Sequence, residues 1–239
     1  METVIIIPAR YESTRFPGKP LALIQGIPMI GQVVLRAGKV PGIEQVVVAT
    51  DDLRVADAAL AFKAEIVMTR PDHRSGTDRV AEAADQLHLS PETLVVNIQG
   101  DQPFFPIEAV ADLISRHQLH PEWPMSTLIY RISNPDEISD PKHVKTVFDH
   151  NDKALYFSRS PIPFYRDGGE DQVYYKHLGI YAYTKTFLQT FARLPGGRLE
   201  EDEKLEQLRA LEFGYPIQVI RSSQDSFEVD HPQDLRLLV

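Results

Sequence analysis

Residues 3–21 read TVIIIPARYESTRFPGKPL. A β-branched apolar run, Thr3–Ile7, stops at Pro8, and Arg10, Arg15 and Lys19 follow on a stretch with neither helical nor strand period. A strand with no polar face needs cover on both sides, which is the setting of a parallel sheet flanked by helices. In open sheets of that kind, ligands gather outside the carboxyl ends of the strands. The three basic side chains therefore belong to a loop facing a binding edge.

The rest of the first half repeats the pattern. Met29–Ala37 has apolar residues at 29, 30, 33, 34 and 37, the spacing of one helical face. Strands are predicted at Gln45–Thr50, Glu65–Thr69 and Thr93–Ile98, and helices at Leu53–Phe62, Thr77–Leu87 and Ile107–His117. This β-α alternation implies a mostly parallel central sheet with helices on both faces. From Met125 the rhythm changes to short strand-like pieces, STLIYRI, HVKTVFD, KALYFS and HLGIYAY, with a polar loop RDGGEDQ at 166–172. Helices are then expected at Lys185–Leu194 and Leu199–Phe213, a last strand at Ile217–Arg221, and a terminal helix opened by Pro232. The reading is one α/β domain, 1–239, with an antiparallel extension over 125–183.

Composition narrows the function. With 25 basic and 34 acidic residues the net charge is −9, which argues against binding to nucleic acid or to anionic membranes in bulk. A basic loop in an acidic chain is the more informative for it. There are no cysteines, so thiolate metal sites and disulfides are excluded. No apolar run approaches a membrane span, and the early strand leaves no room for a signal peptide, so a cytoplasmic protein is expected.

The basic loop, with backbone N–H groups around Gly18, can cradle several phosphates, or it can be a solvated turn. It is not a Walker A loop, since FPGKP lacks the upstream glycine and the hydroxyl residue after the lysine. Other strand ends carry ATDD (49–52), TRPDHRSGTDR (69–79) and NIQGDQP (97–103). Asp101, between Gly100 and Pro103, is held in a turn where it can bind Mg²⁺ or bond its own backbone. RSGTDR can read a base edge or cap the following helix through Ser75 or Thr77.

Taken in order, IIPARYESTRFPGKPL, VATDD, SGTDR, VNIQGDQP, ALYFSRSPIP, KHLGIYAY and LEEDEKLEQLR resemble the 3-deoxy-manno-octulosonate cytidylyltransferase (CMP-Kdo synthetase) family over nearly the whole chain. The resemblance implies a nucleotidyltransferase fold, activation of Kdo with CTP for lipopolysaccharide synthesis, Mg²⁺ dependence and a homodimer. It assigns Arg10, Ser13, Arg15 and Lys19 to the triphosphate, Arg74, Ser75 and Gly76 to the cytosine, and Gln99 to the base or sugar neighbourhood. Asp101 and Asp230 become the metal pair, with Lys19 and Arg15 beside them in catalysis. Arg159, Arg166, His177, Tyr181, Glu206 and Gln207 become the sugar-acid pocket. One departure bears on the sugar: many members have GDEP where this chain has Gly100-Asp101-Gln102-Pro103, and the glutamine form resembles a branch acting on 8-amino-3,8-dideoxy-manno-octulosonate.

The implied reaction, attack of the anomeric hydroxyl on the α-phosphorus of CTP with loss of pyrophosphate, asks for positioning and charge neutralisation. The pocket residues also have plainer readings: Arg159 as a surface ion pair, His177 as a core histidine, and Glu203 and Glu206 as a solvated face of one helix. Two other functions compete. A non-catalytic nucleotide-sugar module could dispense with Asp101 or Asp230, and a glycosyltransferase would favour a D-x-D motif where this chain has GDQP.

Overall fold

A computed structural model describes residues 1–12, 16–169 and 172–238. Ser13 and Arg15 of the basic loop lie outside the described residues. The chain opens with β1 (Thr3–Pro8), then a two-strand hairpin of β2 (Leu23–Ile24) and β3 (Ile27–Pro28), and α1 (Met29–Ala37). Next come β4 (Gln45–Thr50), α2 (Leu53–Leu60), β5 (Glu65–Met68), α3 (Gly76–Gln86), β6 (Leu94–Asn97) and α4 (Ile107–Leu119). The second half holds β7 (Met125–Arg131), α5 (Asp136–Ser139), β8 (Lys145–Phe148), β9 (Ala154–Ser158) and β10 (Tyr175–Thr184). It finishes with α6 (Lys185–Arg193), α7 (Arg198–Glu203), α8 (Gln207–Glu212), β11 (Ile217–Ser222) and a 3₁₀ turn at Pro232–Leu238.

The main sheet runs β11-β7-β10-β6-β1-β4-β5. Along this path β1 pairs in parallel with β4 and β6, β4 with β5, and β11 with β7, while β10 is antiparallel to both neighbours. Alternation within β1 explains why its apolar run has no polar face. Ile5 and Ile7 pack with α1, α2 and α4 on one side; Val4 and Ile6 pack with α3 and α6 on the other. Every β1 residue is buried.

The antiparallel part after Met125 is built into the sheet: β7 and β10 lie between β6 and β11, and the β8–β9 hairpin branches from β10. One expectation changes. The expected helix Leu199–Phe213 is two helices, α7 and α8, because Lys204 adopts a left-handed conformation with φ 54°. That turn is held from outside, as Arg159 donates to the Glu203 and Lys204 carbonyls. Glu203 and Glu206 therefore do not share a helical face. The SFEV stretch before Asp230 is irregular chain.

Candidate functional site

At the carboxyl ends of β1 and β6 the chain must turn sharply, and small residues make the turns fit. A Cβ on Gly76 would come within 3.1 Å of Gln99 Oε1 and 3.3 Å of Pro8 Cγ. A side chain at residue 76 would press on the Gln99 amide and the Pro8 ring, so the glycine eases the close approach of the first turn of α3 to the strand ends. Ser75 caps that helix, accepting from Asp78 N at 3.1 Å, and lines the same cavity as Arg74, Gly76 and Gln99. Capping and lining are both true of Ser75. Gln99 donates to Asn97 Oδ1 at 3.1 Å, and Asn97 donates to Thr77 Oγ1 at 3.2 Å. The amide of Gln99 is thereby oriented before any ligand arrives.

The cavity, about 1150 Å³, runs from this edge across β10 to the α7–α8 turn. Asp101 and Asp230, 129 positions apart, both line it. Their convergence has a local cause. Lys19 Nζ donates to Asp101 Oδ2 at 2.5 Å and to the Val229 carbonyl at 3.0 Å, and Val229 N donates to the Asp101 carbonyl at 3.0 Å. One ammonium thus staples the β6 loop to the C-terminal segment. Asp234 holds the far side of that segment by accepting from the backbone N–H groups of Asp230 and His231 at 2.8 and 3.0 Å.

Between the two aspartates and β10 lies a carboxylate that sequence reasoning missed, Glu228. Burial, aided by the negative charge of Asp101 and Asp230, pushes its carboxyl up to about 7. No turn residue or motif in the sequence around it marks it. Lys142 was missed as well; it lines the cavity from the turn before β8 and lies 3.6 Å from Asp234.

The opposite end is a neutral network. Thr127 Oγ1 donates to the Ile180 carbonyl at 2.7 Å, so at its 2.9 Å contact it accepts from His177 Nε2–H. His177 Nδ1 is then the acceptor facing Gln207 Nε2 at 3.5 Å, and Tyr181 donates to Gln207 Oε1 at 3.1 Å. Burial lowers the His177 imidazole to about 3, so it stays neutral in this role. Glu206 accepts from Thr77 Oγ1 at 2.6 Å, and burial raises its carboxyl. Glu206 is therefore not on a solvated face.

The remaining expected residues divide. Arg159 lines the cavity, but its guanidinium donates to the carbonyls of Pro141, Glu203 and Lys204. Arg10 and Arg166 are exposed and are not among the residues lining the cavity.

The donor set suits a hard cation that brings its own waters. Asp101 and Asp230 supply carboxylate oxygen, and among the described residues no cluster of three or more His, Asp or Glu forms a closed metal cage. Mg²⁺ is the divalent ion that typically accepts one or two carboxylates and completes its shell with water and phosphate.

A mostly parallel sheet with a cationic staple, an acidic pair and a helix N-terminus at one edge is an arrangement that suits a nucleotidyltransferase, and the comparisons with known proteins agree. Residues 4–219 match the cytidylyltransferase family. The chain is 54% identical over 238 residues to the 8-amino-3,8-dideoxy-manno-octulosonate cytidylyltransferase of Shewanella sediminis, covering 99% of this chain and 97% of that one. The same-named protein of Shewanella oneidensis is 54% identical over 237 residues, with 99% and 96% covered. A solved CMP:2-keto-3-deoxy-manno-octonic acid synthetase complexed with CTP superposes with a TM-score of 0.93 at 42% identity, over 100% of this chain and 97% of that one. A cytidylyltransferase structure from Leptospira borgpetersenii, at 15% identity and TM-score 0.65, over 98% and 83% of the two chains, shares the fold. This chain belongs to the cytidylyltransferase family and is an enzyme of its CMP-Kdo synthetase group.

Proposed function

We propose that this enzyme transfers CMP from CTP to the anomeric hydroxyl of an eight-carbon 3-deoxy sugar acid, and that its sugar is the 8-amino form. The observation that carries the reaction is that Asp101 and Asp230 line one cavity with the β10 network, while Lys19 holds Asp101 and the Val229 carbonyl together beside it. The 8-amino form is favoured because the 54%-identical Shewanella proteins bear that name, against 42% identity to the synthetase of the keto-deoxy acid. Kdo itself is the second reading, supported by the near-complete overlay on that synthetase.

In this reading Arg74, Ser75 and Gly76 face the cytosine, with Gln99 beside the base or sugar, and Lys19, with Arg10, Ser13 and Arg15, meets the triphosphate. The sugar acid rests against His177, Tyr181, Glu206 and Gln207, with Arg159 and Arg166 supplying positive charge for its carboxylate. The anomeric oxygen forms a bond to the α-phosphorus and gives up its hydroxyl proton to water, while the bond from the α-phosphorus to the bridging oxygen breaks and pyrophosphate leaves with that electron pair. Asp101 and Asp230 would hold Mg²⁺, which supplies charge neutralisation at the transferring phosphate when bound. Positioning by fixed side chains accounts for much of the acceleration in such displacements.

The remaining assignments follow the same resemblance. The chain works as a homodimer in the cytoplasm, where CTP is made, with part of 125–183 as sugar wall and two-fold interface. Exposed Leu155 and Phe164, the latter 87% exposed, lie in that segment. Sedimentation at micromolar concentration tests this, and a monomer would remove the interface. No helix among the described residues is long and apolar enough to cross a membrane.

The deciding assay measures pyrophosphate release from CTP with each of the two sugar acids, with UTP as control. Release requires CTP and is faster with the 8-amino acid. Faster turnover of Kdo would move the enzyme to the second reading, and equal use of UTP would remove the cytosine assignment.

A further inference from the structure

Glu228 has no task in the chemistry proposed above, yet its position is fixed from several directions. Gln102 Nε2 donates to Glu228 Oε1 at 2.9 Å and to the Leu178 carbonyl at 2.6 Å, and Gln102 is completely buried. Gly179, in the bulge of β10, has φ 66°, and a Cβ there would lie 3.2 Å from the same carboxylate oxygen. The strand therefore leaves space for this oxygen where any other residue would crowd it. On the chain's other side, Val229 is bound to the Asp101 carbonyl.

The charges around Glu228 are unevenly met. Asp101 has the Lys19 ammonium at 2.5 Å, whereas Glu228 has a neutral amide as its hydrogen-bond partner. Lys142 lines the same cavity, but its ammonium lies 3.6 Å from Asp234 and 5.8 Å from the centre of the Phe227 ring. The wall is also short of donors: buried Gln102 Oε1 and Ser226 Oγ have no hydrogen-bond partner among the described residues. A group that only donates, and carries positive charge, fits such a wall. An ammonium has three donors and no acceptor, while a hydroxyl has one donor and no charge.

We propose that Glu228, held by Gln102, selects the sugar: its carboxylate receives the terminal ammonium of an amino-bearing sugar acid and discriminates against the hydroxyl analogue. The proposal rests on the reading that the sugar carries an amine. Gln102 suits the role because a glutamate there would set a second carboxylate against Glu228 and remove the donor that orients it. Glu228 is a specificity-determining residue in this account, and the bonds made and broken at phosphorus are unchanged by it.

The test compares kcat/KM for the 8-amino and 8-hydroxy sugar acids, with CTP and Mg²⁺ saturating, in wild type and Glu228→Gln. Wild type prefers the amino sugar, and Glu228→Gln lowers the amino-to-hydroxy ratio by about 30-fold or more, as expected for removing one partner of a desolvated charge pair. The change falls on KM for the amino sugar more than on kcat. A ratio left at its wild-type value, or a parallel fall for both sugars, overturns the role. Wild type that does not prefer the amino sugar overturns the sugar reading itself, a result visible before any variant is made. Thermal unfolding and calorimetric CTP affinity establish that Glu228→Gln is folded. Should it not fold, Glu228→Asp keeps the charge but withdraws it by one methylene; it must also lower the ratio, and an unchanged ratio overturns the proposal equally.

Discussion

At the end proposed for the nucleotide, Lys19, Ser75 and Gln99 lie on the loops that follow β1, β5 and β6, held by Asp101 and Val229, by Asp78, and by Asn97 respectively. At the end proposed for the sugar, His177, Tyr181 and Gln207 are tied across a strand and a helix. The first end keeps its charges near water: Arg10 and Arg74 are exposed, and Asp101 is answered by a lysine. The second is a desolvated neutral network in which His177 must stay unprotonated to accept from Gln207. A polyanionic ligand with a metal can be gathered by charge on loops. A sugar distinguished by hydroxyl positions needs fixed donors and acceptors in a dry wall.

The sharpest way to break this contrast is at the acidic pair. Asp101→Asn and Asp230→Asn keep shape but lose a hard anionic ligand, and turnover should fall by about 100- to 1000-fold or more. The double variant should be little worse than either single one, since residues acting as a unit are not additive. Single-turnover rates against Mg²⁺ concentration check this, and wild-type magnesium dependence in Asp230→Asn would dissolve the pair. Next in size is Gln207→Leu, which strips the donor from His177 and the acceptor from Tyr181. It should weaken sugar binding by about 2 kcal/mol while calorimetric CTP affinity barely moves. Equal losses for both ligands would mean that the two ends are not separately built.

Arg159→Ala is expected to act twice. Losing the bonds to Pro141, Glu203 and Lys204 should cost about 1 kcal/mol of stability in denaturant melts, since the group is partly exposed, and sugar affinity should drop with it. Loss of stability without loss of sugar affinity would make Arg159 a brace of the α7–α8 turn alone.

The smallest effect concerns protons. Burial lowers His117 to about 4 and His177 to about 3. Each stabilises the fold as a neutral ring above the unfolded value near 6.5, and that stability is lost as pH falls toward 4 and 3. The slope is about 1.4 kcal/mol per pH unit for each. Glu206 and Glu228, raised by burial, act in the opposite sense over part of the same window. The clean comparison is therefore wild type against His117→Asn, whose stability difference should shrink by about 1.4 kcal/mol per unit between pH 6 and 4.5. A constant difference would mean that His117 takes up its proton in the fold as readily as in the unfolded chain.

The contrast between the two ends also decides what could be read without coordinates. α1 and β4 fall on their expected limits, Met29–Ala37 and Gln45–Thr50, because a helical stripe and a buried strand are local patterns. Ser75 and Asp101 were singled out from helix-start and strand-end chemistry and do line the cavity, whereas Gly76 and Gln99 came only with the family resemblance. The two-strand hairpin β2–β3 was missed, although Gln25 and Gly26, both with positive φ, form the kind of two-residue turn its sequence favours. The break at Lys204 was invisible because LEEDEKLEQLR contains neither glycine nor proline, and the side chain that holds the turn, Arg159, is 45 positions away. Glu228 and Lys142 were missed for a related reason. Nothing nearby in sequence marks them, and they matter through what Gln102, Asp101 and Asp234 bring beside them.

The bulge in β10 constrains how this strand can change length. His177 lies opposite Ile129, and Tyr181 lies opposite Thr127, so four steps on β10 span two on β7. Two surplus residues leave the inside-outside parity intact, which is why Tyr181 and Tyr183 stay with α3 and α6 while Ile180 and Ala182 face α4. Removing one residue here would turn everything from Tyr181 to Thr184 over to the wrong layer. Removing two would straighten the strand and keep each side chain on its own side, at the expense of the recess beside Glu228. Insertions and deletions in homologous chains should therefore come in pairs at this point, and a shortened strand should accompany a different sugar.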